Sequence, residues 1–140
     1  MKQFIVLLAG IPLLFSFVIE YTTQRIIFTK VNLINDVVYA AKEEAKQNGC
    51  FTEEAAAALK DSIDSITGTS CTFAADNVPK ERITEVPESH DAWENGLIKY
   101  RIEVPIKEAE RLEKLLGIRS ESDFTYVIDA FTSSEYLKAE

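Results

Sequence analysis

The chain has 140 residues, 46% hydrophobic and 27% charged, with a formal net charge of −8 and two cysteines. An acidic balance of this size excludes nucleic-acid binding as the main activity, because that needs a basic stripe to meet phosphates. Once a membrane segment is set aside, the remaining length allows one small domain with a modest core.

Residues 1–49 read as one continuous helix, because no turn signal appears before Asn48-Gly49. Its first half is an uncharged apolar run of 16 residues, Phe4 to Ile19. That run makes about 24 Å of helix, short of a hydrocarbon core of roughly 30 Å. Continuation through Glu20 and Tyr21 to Ile26-Ile27-Phe28 closes the gap, with Tyr21 at headgroup height and Arg25 and Lys30 reaching water. The expected division is a transmembrane anchor over 1–28, an amphipathic half of the stem over 29–49 and an extracytoplasmic head over 50–140.

A secretory signal peptide is the rival for the apolar run, with Met1-Lys2 as a minimal positive start. No small-x-small cleavage site follows Ile19, so an anchor that is retained is the expectation. Lys2 favours a cytoplasmic N-terminus, whereas Arg25 and Lys30 oppose it. The cysteines decide for a head outside the cell, because an even pair, Cys50 and Cys71, suits a disulfide in an oxidising compartment. Two unrelated buried thiols are the alternative.

Beyond the membrane half, Ile27, Val31, Ile34, Val38, Ala41 and Ala45 recur at steps of three and four, one apolar stripe along a helix. The opposite side is expected to carry Lys30, Asn32, Asn35, Lys42 and Lys46. The stripe can pack on the chain's own head, or its membrane-proximal turns can pack on other subunits. Gly49 ends the helix with a residue suited to the left-handed conformation.

Thr52 reads as the N-cap of a second helix, with Glu53 and Glu54 in its first turn, Leu59, Ile63 and Ile66 as its buried stripe and Gly68 as its stop. Cys71-Thr-Phe-Ala is a short strand. Residues 76–95 read as a charged loop with a brief strand over Arg82 to Val86. Leu97 to Ile106 alternates strictly, with Ile98, Tyr100, Ile102, Val104 and Ile106 on one face. Pro105 marks an edge or a strand end. Lys107 to Leu116 reads as a short helix, with Leu112, Leu115 and Leu116 inward and Gly117 as its stop. Phe124 to Thr132 reads as a final strand, apolar on both faces and therefore well buried. The fold class is α+β: a long N-terminal helix carrying a head of a second helix, about three antiparallel strands and a short helix.

No catalytic, cofactor or metal constellation emerges. His90 is the only histidine, and one histidine with two cysteines makes no ordinary zinc site. Asp61 and Asp64 share a helix face as many solvated pairs do, and Glu121, Asp123 and Asp129 match no calcium loop. Phosphate-loop and dinucleotide patterns are absent from the sequence. Trp93, Tyr100 and Tyr126 suit core packing better than an exposed aromatic patch. A non-enzyme with no cofactor and no small-molecule substrate is expected.

Pro12-Leu13-Leu14, then Ile19-Glu20-Tyr21, then Arg25, and later Ala40-Ala41-Lys42-Glu43-Glu44-Ala45 with Gly49, resemble the stem of TadE-like pseudopilins of tight-adherence (Flp-type) systems. The resemblance covers roughly residues 9–49. It implies a pilin-like structural subunit whose stem, through Pro12, Glu20, Tyr21 and the stripe from Ile27 to Ala45, packs against copies of itself or other pilin-like subunits in a membrane, pilus or secretion appendage. It also implies that Glu20 resembles the stem glutamate that neutralises a neighbour's amino terminus, where a hydrogen bond to Gln24 is the local alternative. The family's glycine-containing peptidase site stands ahead of the apolar run, whereas Gly10 here lies within it, ten residues before Glu20. An anchored accessory component of a conjugation or secretion apparatus, and an anchored sensor whose loop at 76–95 reads a ligand, are the other two expectations.

Overall fold

The computed structural model describes residues 2–84, 94–116 and 124–137. Helix α1 runs without interruption over Lys2–Asn48, 47 residues, with Pro12 inside it. At 1.5 Å per residue that is about 70 Å of helix. Gly10 and Pro12 both lie within it, and neither ends it.

The helix ends at Gly49, in the left-handed region at φ +78°. The Lys80 amide donates to the Gly49 carbonyl at 2.9 Å, and a Cβ at Gly49 would stand 2.7 Å from the Lys80 oxygen. Glycine is therefore required twice here, by the dihedral angle and by the approach of a second backbone.

Helix α2, Glu53–Thr67, is capped as its sequence dictates. The Thr52 hydroxyl accepts from the Ala55 amide at 3.2 Å, Glu53 and Glu54 face the positive end of the dipole, and Gly68 closes the helix at φ +68° by donating to the Asp64 carbonyl.

The sheet is antiparallel with order β1-β2-β3, formed by β1 over Thr72–Ala75, β2 over Leu97–Pro105 and β3 over Thr125–Ser133. Helix α3, Lys107–Leu116, links β2 to β3. In register, Phe73 faces Ile102, and Ile102 in turn faces Ile128. The alternation of β2 is realised in full: Ile98, Tyr100, Ile102, Val104 and Ile106 are all buried. Pro105 marks the end of β2 and not an edge, since β2 is the central strand; the Pro105 carbonyl accepts from the Thr69 hydroxyl at 3.0 Å.

The core joins Ile34, Val38 and Ala45 of α1 to Leu59 and Ile63 of α2, to Phe51 and Cys71, and to the inner face of β2. Phe51 anchors its middle, packing edge-on against Phe73 at 5.2 Å and tilted against Tyr100 at 5.4 Å.

Two expectations are corrected. Arg82 to Thr84 form no strand; this segment is instead tied down by the Arg82 amide, which donates to the Tyr136 carbonyl at 2.9 Å. Strand β3 is not buried on both faces. It lies at the sheet edge, and its outer residues Val127 and Phe131 are exposed, Phe131 by 67%. Glu85 and Val86, His90, Trp93, Gly117, Glu121 and Asp123, and the side chains of Leu112, Leu115 and Leu116, lie outside the described residues.

Gly49→Ala is expected to lower stability by about 1–3 kcal/mol, and Gly68→Ala by about 1 kcal/mol, because a Cβ at Gly68 meets no atom within 4 Å. Thermal unfolding of the full chain in detergent, followed by near-ultraviolet circular dichroism, checks this; equal losses at the two sites would contradict the Gly49–Lys80 approach.

Candidate functional site: the exposed stem and its junction with the head

From Phe4 to Ile19 every residue of α1 is exposed. This is the one helix among the described residues that is long and apolar enough to cross a membrane, and none of its apolar window is covered by the rest of the chain. Pro12 sits in the middle of this half. Its ring nitrogen cannot donate to the carbonyl four residues back, while its own carbonyl accepts from the Ser16 hydroxyl at 3.0 Å.

The polar side chains of the stem find partners within the helix itself. The hydroxyls of Thr22, Thr23 and Thr29 each donate to a carbonyl four residues back, at 2.7–2.9 Å. Glu20, half-buried, accepts from Gln24 at 3.4 Å, the local arrangement named as the alternative for it. Tyr21 accepts from Arg25 Nε at 3.0 Å and from Nη2 at 2.8 Å, and the guanidinium lies 5.4 Å from its ring centroid. These pairs lower the cost of placing these polar atoms in apolar surroundings.

The predicted stripe turns inward and meets the head of the same chain. Ile34, Val38 and Ala45 are buried, and Ile27, Val31 and Ala41 are half-buried. Within one chain, therefore, the head already covers the distal part of the stripe, and the apolar surface of the stem left exposed is the half from Phe4 to Ile19 with Tyr21, Ile26, Phe28, Leu33 and Tyr39. Lys30 departs from the expectation that it sits on the opposite, solvated side. Its ammonium reaches Glu108 of α3 at 2.6 Å, with both side chains largely covered. Lys42 and Lys46 are also half-buried, each paired with Glu43. A second bridge from stem to head runs from the Tyr126 hydroxyl to Asn35 Oδ1, 3.2 Å.

Lys30 holds the Glu108 carboxyl below its ordinary range through that hydrogen bond. A depressed carboxylate stabilises the fold above its ordinary range, and the contribution is lost as pH falls through the lowered value. Neither Lys30–Glu108 nor Asn35–Tyr126 was visible in the sequence, because the partners lie 78 and 91 residues apart and a single sequence carries no signal for such pairing.

The candidate disulfide is not formed: Cys50 and Cys71 are both buried free thiols. Cys50 precedes the first turn, whereas the Cys71 amide is held by Asp64 Oδ1 at 2.8 Å and its sulfur lies 3.9 Å from the Lys60 carbonyl. Lys60 lies about two turns along α2. Asp64, one of the paired carboxylates considered above, thus has a structural partner. Burial first, and then Asp64, pushes the Cys71 thiol up to about 11, which makes it a poor nucleophile. Tyr100 is buried in the core and Tyr126 half-buried, and Asp129 lies 3.5 Å from Arg101 on the outer face. Among the described residues no group of three or more His, Cys, Asp or Glu side chains is placed to hold a metal ion.

Compared with protein families, curated proteins and solved structures, the chain finds no match.

In the folded protein Cys71 is expected to resist iodoacetamide until pH approaches about 11. The unfolded thiol ionises at its ordinary 9.0, before the folded one, so stability should fall as pH rises from 9.0 to about 11. Denaturant midpoints compared with those of Cys71→Ala check the sign: the variant should lack that part of the decline. Intact mass under non-reducing conditions should show two alkylatable thiols per unfolded chain.

Proposed function

We propose that this chain is a non-enzymatic, membrane-anchored, pilin-like subunit that works by assembly. The stem inserts from the cytoplasmic side and holds the head outside the cell, and the stems of neighbouring subunits, whether copies of this chain or other pilin-like proteins, pack along the apolar half of α1. The observation that carries this reading is the division of labour within one helix. Ile34, Val38 and Ala45 are used inside the chain, while Phe4 to Ile19 are left without any intramolecular partner. A soluble domain would not keep about 24 Å of continuous apolar helix in water. Gly10, around which a Cβ would find open space, allows close approach of a second helix at that level. The resemblance of residues 9–49 to TadE-like stems points the same way.

One observation favours a second reading, an accessory component of a secretion or conjugation apparatus that never leaves the membrane. Glu20 accepts from Gln24 within its own helix, the local alternative to pairing with a neighbour's amino terminus.

Shearing surface appendages from intact expressing cells separates the two. For a filament subunit the protein is expected in the sheared fraction. Recovery in the membrane fraction alone would overturn filament entry and leave the accessory component. Replacing Phe4 to Ile27 by an unrelated spanning helix is expected to abolish co-assembly in either case; retention of the full interaction by that swap would place the function in the head.

A further inference from the structure

Where the stem enters the head, α1 and the end of α2 leave an open groove of about 420 Å³. Its floor is apolar, made by Ile26 and Leu33 of α1 and Ile66 of α2, and its rim carries Arg25 and Lys30. These two are the only cations between Lys2 and Lys42 in a chain of net charge −8. They are not equivalent. Lys30 is neutralised by Glu108 at 2.6 Å. Arg25 directs Nε and Nη2 at the Tyr21 hydroxyl, and of the five guanidinium donors the other three meet no acceptor among the described residues. The rim therefore holds one uncompensated positive charge with free N–H groups.

The groove is continuous with the lipid-facing surface. Below it, at helical spacing on the same side of α1, come Val18, Phe15 and Ile11, all exposed. A helix immersed from Phe4 onward leaves about 30 Å of hydrocarbon at the height of Gln24 and Arg25, which is where a phosphate belongs.

We propose that one anionic phospholipid sits at the lower mouth of this groove, its phosphate on the Arg25 guanidinium and an acyl chain along Val18 and Phe15. The net charge of the groove, one positive, matches a headgroup of net charge minus one better than a zwitterionic headgroup. Both threonine hydroxyls at the groove, Thr22 and Thr29, donate to the helix backbone, so recognition falls to the guanidinium. This site rests on the reading that the stem crosses a bilayer.

The test uses the full chain in equimolar phosphatidylglycerol and phosphatidylcholine bilayers with matched acyl chains, in two stages. Flotation with vesicles of either lipid reports insertion; failure to float with both would overturn the anchored reading itself and the site with it. For the inserted protein, native mass spectrometry reads which lipid is retained. One phosphatidylglycerol per chain is expected. Arg25→Gln should lower its preference over phosphatidylcholine by about fivefold, while Glu108→Gln, which frees Lys30, should raise it. Flotation with equal retention of the two lipids, or an unchanged preference in Arg25→Gln, would overturn the site and leave the anchor standing. Loss of the preference on adding inorganic phosphate in excess would assign the groove to a free anion and overturn the lipid.

Discussion

The contact on which the rest of the molecule depends is the burial of Ile34, Val38 and Ala45, three residues of the stem, in the core of the head. A three-stranded sheet with one apolar face cannot exclude water alone. Helix α2 packs on β1 and β2, while α1 packs on α2, α3 and β3, so two helices complete the cover. Ile34 is fully buried, and each such side chain contributes about 1.5–3 kcal/mol, a large fraction of what a small domain has in total. Remove the distal half of α1 and the cover it gives α2, α3 and β3 is lost. The stem is thus part of the domain it carries.

What could be read from the sequence follows from the range of each signal. The stripe from Ile27 to Ala45 and the alternation of β2 are periodic over many residues, and both faces lie where the periods put them. Gly49, Thr52 and Gly68 act within one turn of the helix ends they close, so their roles were legible residue by residue. The failures lie where a long-range choice decided the outcome. Composition along Thr125–Ser133 could not separate an edge strand from a central one, although Asp129 among the outer residues fits the edge. The even number of cysteines did not decide whether Cys50 and Cys71 pair, and both are free thiols. Lys30 was misplaced because its partner Glu108 belongs to an element that returns to the stem only in the folded chain.

From Ser16 to Thr29 every polar side chain of the stem has a partner within its own helix. This local closure bears on how such a helix associates. Apart from the Arg25 guanidinium, which keeps free N–H groups, a neighbouring stem in the proposed assembly gains little hydrogen bonding by docking there, and the attraction comes from shape and from small residues such as Gly10. An assembly held that way is adjustable in register. In the proposed anchored subunit, charged groups that do reach outward, Arg25 above all, are left to set the height of the helix.

Helix α1 passes from its exposed apolar half into the core with no loop between, and its one proline lies far below the head. A flexible linker would isolate the domain from whatever happens to the anchor. Here the two are mechanically one part. Tension or torque applied to the buried end arrives undamped at Ile34, Val38 and Ala45, loading them in shear across α2 and the sheet. The rigidity that fixes how the head stands on the stem also makes its core the fuse for any force drawn through that helix.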